Sequence, residues 1–432
     1  MTGGRPAVVV TGAAVLNALA EDLPEYSRAL RAGRSATTLT PAPPGSRWAA
    51  PFAAALLDDF SVTGWSDRWL ADDPAAAQRL CRAASRCALP AATAACVAVG
   101  AARDALLKPV HLERAGLVVA GNNLALDYQA QAFARFLDDP EDVQTAHILR
   151  HLDTDAIGAA SQALGLHGEG LTVGGASASS PLAVVAAVRM LQGRHLDRCL
   201  VVAPAAELSP LEMAAFQRSG AMATPDPDLP AAALCRPFDR DRRGFVLGQG
   251  AAAVVLERRD SARRRGARVH AEILGYGQRL DAQRSTRPDS QGQCTAISAA
   301  LRMAGVAPTE VDYVNAHGTG SPQGDSVEAT ALRQVFHGAR GARAGPVVNS
   351  TKALVGHCLG AAGLQELVAT VLQLREGFCH PNPHTPRPID PDLVFAGPGA
   401  QDRELRIAVS NGLAFGGINV CLAIGRQEGN PV

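Results

Sequence analysis

The chain has 432 residues, enough for one large core or for two domains of about 100–200 residues each. Lys plus Arg and Asp plus Glu both number 41, so the formal charge is zero, which excludes the basic balance of a nucleic-acid binder and leaves any partner to be met through a local patch. Hydrophobic residues make up 47%, yet no stretch reaches the ~18 uninterrupted apolar residues of a membrane span. The N-terminal MTGGRPAVVVTG has no basic segment leading into a long apolar run, so a soluble cytoplasmic protein with no membrane partner is expected. Nine cysteines, scattered singly with no CxxC pair, read as reduced and mostly buried thiols, and give no metal or disulfide signal.

Short apolar runs alternate with Ala-rich helical stretches along the whole chain, the pattern of an α/β protein. Strands are expected at 7–11, 115–120, 199–203, 250–257, 269–276, 311–315, 346–349 and 406–410, and helices at 84–106, 181–192, 290–303, 326–336 and 361–375. The helix at 181–192 is apolar nearly all round, which predicts burial between layers. The charged run RRDSARRRGA at 258–267 marks a boundary, giving halves 1–262 and 263–432. Segments 224–230 and 380–391, rich in Pro and Gly, read as ordered loops.

Four segments crowd small residues around reactive groups: GGASASS at 174–180, NAHGTGSPQGD at 315–325, NSTKALVGHCLGAAG at 349–363 and NGLAFGGIN at 411–419. His317 and His357 stand beside glycines, where an imidazole can project into a cavity. Ser177 precedes the apolar helix, whose N-terminus can stabilise negative charge on a bound carbonyl. Each feature has a plainer reading. Ser177, Ser179 and Ser180 compete as helix caps, with Pro181 tolerated in the first turn; Lys352 and Glu366 are residue types usually found in solvent. Their joint occurrence is what points to a site.

Taken together, the segments resemble the β-ketoacyl synthases, the elongating condensing enzymes of fatty-acid and polyketide assembly, over essentially the whole chain. The resemblance implies the thiolase fold, a five-layered αβαβα sandwich of two similar halves, and a homodimer formed by pairing a strand across the interface. It implies that His317 and His357 polarise the thioester carbonyl of a malonyl group, that Lys352 pairs with Glu366, and that the amides of Ser177 and Phe415 form an oxyanion hole. Thr319, Ser321, Leu413 and Gly416 would line the pantetheine arm. The substrate would ride on the phosphopantetheine of an acyl carrier protein, with no cofactor or metal of the enzyme's own. An acidic carrier protein calls for a basic patch near the tunnel mouth, for which 258–268 offers arginines.

The chain departs from that pattern in four places. Ser177 stands where relatives carry the nucleophilic cysteine, and Leu413 where relatives carry the aromatic that gates the acyl pocket. Arg243 and Gln249 replace residues that are usually acidic.

A helix N-terminus can bring a thiol, of pKa about 8.5, to the thiolate near neutral pH; an alcohol lies too far above to follow. Ser177 therefore starts neutral and needs a general base to attack a thioester. Decarboxylation needs no nucleophile, because donors aimed at the thioester oxygen stabilise the enolate directly. The leading expectation is a malonyl-acyl-carrier-protein decarboxylase of the Cys-to-Ser type found in polyketide β-branching, making acetyl-acyl-carrier protein. The alternatives are a condensing or cyclising ketosynthase or acyltransferase, with Ser177 the native nucleophile or an engineered substitute for Cys, a non-catalytic partner subunit like a chain-length factor, and a thiolase acting on free coenzyme A. The retained histidines count against the partner subunit, and the pattern of both histidine motifs against the thiolase.

Overall fold

The computed structural model describes residues 5–41, 51–336 and 345–427. Eleven strands form the main sheet: β1 Val8–Asn17, β2 Ala115–Ala120, β3 Gly170–Val173, β4 Arg198–Ala203, β5 Gly250–Arg258, β6 Ala271–Leu280, β7 Tyr313–Asn315, β8 Val347–Asn349, β9 Val394–Phe395, β10 Ile407–Ala414 and β11 Ile418–Arg426. Their order in space is β9-β8-β7-β10-β11-β6-β1-β5-β4-β2-β3. Read outward from the junction of β1 with β6, each side runs through its first, fifth, fourth, second and third strands, and β9 extends one edge. The pairing senses repeat too, since β2–β4 and β7–β10 are parallel while β4–β5 and β10–β11 are antiparallel. Among the described residues, the two sides of this sheet pair with each other through Val8–Val10 against Ala271–Ile273.

Each side buries both faces, so its strands are nearly all apolar. In β4, Cys199, Val201 and Ala203 face the central core while Leu200 and Val202 face an outer one. The outer core of the first half holds helices α1 Leu89–Asp104 and α2 Thr154–Leu164. That of the second holds α4 Ser290–Ala304 and α5 Pro322–Phe336. Between the halves lie α3 Ser179–Gln192 and α6 Ala362–Glu376, whose apolar residues join strands of both halves in one cluster. The result is the thiolase-type succession of helix, sheet, helix, sheet and helix layers.

The helix expected at 84–106 is α1, which begins five residues later than expected because a separate helix precedes it. Pro74–Ala84 ends, and α1 starts at Leu89 with Pro90 in its first turn, where the missing N–H has no acceptor to serve. The helix expected at 181–192 begins at Ser179 and is buried as its composition predicts. Of the main-sheet strands, β3, β9 and β11 lie outside the expected set, and β9 is only two residues long. β3 is exposed and short, so it lacks a continuous apolar run, and β11 begins within the Gly-rich AFGGIN segment. Among the described residues no helix is long and apolar enough to cross a membrane.

Candidate active site

Ser177 lies in a 3-10 turn, Ala176–Ala178, that runs directly into α3. Ala176 has φ +47°, a left-handed conformation that costs an L-residue about 1–2 kcal/mol. The turn is held by hydrogen bonds from Gly175 N–H to Ser179 Oγ (2.9 Å), from Ser179 Oγ–H to Ala176 O (2.7 Å) and from Ala176 N–H to Asn122 Oδ1 (3.1 Å). Ser179 thus ties down the turn and Ser180 bonds Gly360 O, while Ser177 is left to the site. Its Oγ is 2.9 Å from His357 Nε2.

The tautomer of His357 follows from its other nitrogen. Leu359 N–H donates to Nδ1 (3.2 Å), so Nδ1 carries the lone pair and Nε2 the proton. The Ser177 contact therefore runs from imidazole to hydroxyl, and His357 offers Ser177 no base. Leu359 reaches this position with φ +50°, and the backbone of His357 is pinned by its N–H to Val246 O (2.7 Å) and by Gly248 N–H to its own carbonyl (3.0 Å). Phe245 packs edge-on against the His357 ring, with centroids 5.4 Å apart.

His317 ends in the same state by a different route. Lys352 Nζ, which can only donate, lies 2.6 Å from His317 O and 3.4 Å from His317 Nδ1, so Nδ1 accepts and Nε2 holds the proton. The third Lys352 donor bonds the Glu366 carboxylate in a pair that is 1–2% exposed. Burial pushes the Glu366 carboxyl above its ordinary value while Lys352 pulls the other way. Burial, with Lys352 adding repulsion, holds both imidazoles well below their usual pKa. The site thus keeps two neutral rings, perpendicular and 5.6 Å apart, each with its proton on Nε2, where that of His357 meets Ser177 Oγ.

Two carboxylates outside the expected site shape the His317 loop. Glu328 accepts the N–H groups of His317 and Gly318 (both 2.8 Å) and an Asn411 amide (3.2 Å). Asp325 accepts those of Gly320 (3.1 Å) and Phe238 (2.7 Å), and burial pushes its carboxyl up to about 7. The sequence carries a signal for both. Asp325 closes the NAHGTGSPQGD segment and Glu328 follows three residues later, on the same face of α5.

Ser177, His317 and His357 open onto one cavity of ≈ 540 Å³, whose wall also carries Thr319, Ser321, Leu413 and Phe415. Thr319 Oγ1 accepts Ser321 N–H (3.3 Å) and Ser321 Oγ accepts Gly324 N–H (3.1 Å), which leaves both hydroxyl protons for a ligand. Gly416 is not on the wall; at φ +86° it turns the chain just beyond Phe415. The end of β10 comes close to Ser177 because Gly412 lies against Pro181, where a Cβ would be 2.5 Å from the ring. Lys352 and Glu366 stand behind His317 and do not line the cavity.

The arginines of 258–268 do not reach the cavity. Arg258 pairs with Asp197 and Asp260, Arg259 with Glu272, Arg264 with Asp260 and Arg265 with buried Glu257, so this run fastens the junction of the two halves. Arg243 pairs with Asp226, and Gln249 accepts Leu57 N–H (3.1 Å). Both lie off the cavity wall.

Residues 5–262 match the β-ketoacyl synthase N-terminal domain and residues 270–386 the C-terminal domain. The chain belongs to the β-ketoacyl synthase family. Within it, the chain is 32% identical over 98% of its length to the polyketide biosynthesis malonyl-ACP decarboxylase PksF of Bacillus subtilis (strain 168), covering 97% of that protein. It is 38% identical to the mitochondrial 3-oxoacyl-[acyl-carrier-protein] synthase of Arabidopsis thaliana over 62% of this chain and 58% of that one. Two solved structures, the ishigamide ketosynthase/chain length factor and a β-ketoacyl synthase from Burkholderia phymatum STM815, superpose with TM-scores of 0.83. They share 29% and 28% identity, and each comparison covers 98% of this chain and all of the other. Within that family, the arrangement that needs a chemical explanation is a neutral serine that faces two imidazole donors across one cavity.

Proposed function

We propose that this synthase-family chain is a ketosynthase-like decarboxylase that converts malonyl-acyl-carrier protein to acetyl-acyl-carrier protein in polyketide assembly, within a β-branching cassette. The observation that carries the reading is the pair of neutral Nε2–H donors facing one cavity, with His357 donating to Ser177. The likeness to PksF along nearly the full length of both chains supports it. The substrate's thioester oxygen takes both Nε2–H bonds, and Thr319 and Ser321 offer their O–H groups to the pantetheine arm. The bond between the malonyl α-carbon and its carboxylate then breaks. Its electron pair becomes the enolate π bond, CO₂ leaves, and the charge on the thioester oxygen is met by the two imidazoles. Water protonates the α-carbon to give the acetyl thioester. Ser177, which meets the His357 N–H in the free site, yields it to the entering thioester oxygen and stays an alcohol throughout.

The test is mass spectrometry of malonyl-carrier protein mixed with the purified chain. Acetyl-carrier protein without mass gain on the enzyme is the expected result; an acyl adduct on Ser177 would instead establish acyl transfer or condensation, and no change in either partner would establish a non-catalytic subunit.

Neutral imidazoles also fix the pH dependence. Both rings have their pKa lowered, so they stay unprotonated as pH falls through the ordinary value of about 6.5. The kcat/KM for CO₂ release is therefore expected to be level from pH 8 through pH 6, and a sigmoidal loss centred near 6.5 would contradict neutral donors.

The homodimer that the family pattern implies has a natural seat. Among the described residues strand β3 pairs only with β2, and Leu171 on it is exposed. Helix Leu126–Asp138 buries no residue, and Phe133, Phe136, Leu137, Ile148 and Leu149 are all exposed nearby in sequence. An open strand edge with that much apolar surface asks for a partner. Light scattering should give twice the chain mass, and Phe133→Glu with Leu171→Asp should reduce it to a single chain.

A further inference from the structure

We infer that Asn122 reads the carboxylate of the bound malonyl group, an assignment that rests on the decarboxylase reading above and adds a specificity-determining residue to it. Strand β2 ends at Ala120; Gly121 turns the chain with φ +135°, and the N–H groups of Asn123 (3.0 Å) and Leu124 (2.9 Å) donate to Asp153. This anchored turn puts Asn122 on the wall of the cavity that holds Ser177, His317 and His357. The amide has one orientation available. Its Oδ1 accepts the N–H of Ala176, the residue next to Ser177, so the side chain's two N–H donors belong to Nδ2. Nδ2 makes no hydrogen bond to any described residue.

The rest of the wall leaves the carboxylate few charged partners. The imidazole N–H groups serve the thioester oxygen. Glu212, Asp325 and Glu328 are themselves acidic, and their oxygens are occupied by Ser209 and by the N–H groups around His317. Arg287, the one cation on the described wall, sits in the loop that contacts Gly416 through Ser285, on the Phe415 side. The wall also carries the neutral donors Asn123, Ser219, Ser285, Thr286 and Gln323, but Asn122 is the one tied to the turn that carries Ser177, through Ala176 N–H, which sets its Nδ2 and the serine hydroxyl side by side. A neutral amide also suits the chemistry. A guanidinium would bind the carboxylate strongly in the ground state and resist its departure as CO₂, whereas an amide orients it at a smaller cost to the barrier.

Asn122→Asp separates the two jobs of the side chain, because it keeps an acceptor for Ala176 N–H and replaces the donor with negative charge. The probes are malonyl- and acetyl-carrier protein with an amide in place of the thioester, which bind without turnover. The variant is expected to bind the malonyl form at least ~10-fold more weakly than the parent chain and the acetyl form within about twofold of it, since about 1.4 kcal/mol of lost contact is tenfold in affinity. Unchanged malonyl affinity, or an equal loss for both probes, would overturn the assignment. Should the aspartate variant melt well below the parent, Asn122→Ser, which retains both an acceptor and an O–H donor, is expected to keep part of the malonyl preference; losing it entirely together with acetyl binding would again count against Asn122. Thioester turnover by the parent chain is a separate readout: absent CO₂ release with an intact Asn122-dependent preference would sink the decarboxylase reading alone.

Discussion

Replacing His317 or His357 by alanine is expected to slow CO₂ release from malonyl-carrier protein by about 10²–10³-fold each, the usual cost of deleting one oxyanion donor. Ser177→Ala is expected to stay within a few-fold of the parent. The ranking follows from the direction of one hydrogen bond. Leu359 occupies Nδ1 of His357, so the proton on Nε2 points at Ser177 and at whatever oxygen enters beside it. Removing the serine takes away an acceptor, while removing the imidazole takes away a donor that the enolate needs. His317 is equivalent because Lys352 fills its Nδ1. Stopped-flow detection of CO₂, with thermal melts to confirm folding, is the measurement. A serine variant as impaired as the histidine variants would show that Ser177 does chemistry and would undo the donor assignment.

The second large effect concerns stability. Glu366→Ala is expected to destabilise the chain by about 3–5 kcal/mol, because it strands the Lys352 ammonium in a position 1% exposed with only the His317 carbonyl and Nδ1 for partners. Glu366→Gln keeps an acceptor of the same shape and should lose clearly less. A double change to Lys352→Met and Glu366→Leu removes both charges and should recover most of the loss, while activity stays low because nothing then fixes the His317 tautomer. Chemical denaturation of the three variants checks this. Equal stability of the parent and Glu366→Ala would mean that water already solvates the pair.

Much of the site is legible in the sequence because its parts are short and local. The NAHGTGSPQGD and STKALVGHCLGAAG segments carry their histidines beside glycines that permit close backbone approach, as Gly356 does with φ +70° against Leu247 O. Asn122 does not stand out along the chain, and the place of Asp325 and Glu328 in and just after NAHGTGSPQGD marks their position but not their partners, for a corresponding reason. Each acts on a backbone N–H supplied by another segment, and residue type alone does not say which N–H that will be. The arginines of 258–268 mislead in the same way, since charge in a sequence does not show that Glu257, Glu272 and Asp197 wait to neutralise it.

The chain by itself determined the layered α/β architecture, the burial of the helix after Ser177 and the presence at 177 of an alcohol too weakly acidic to ionise near neutral pH. Apolar periodicity and side-chain acidity are local properties, and both survive in any environment. The protonation and aim of the imidazoles were decided only in three dimensions. A histidine's tautomer is set by the group that meets its second nitrogen, and here those groups are a lysine 35 residues away and a backbone amide held in a left-handed turn.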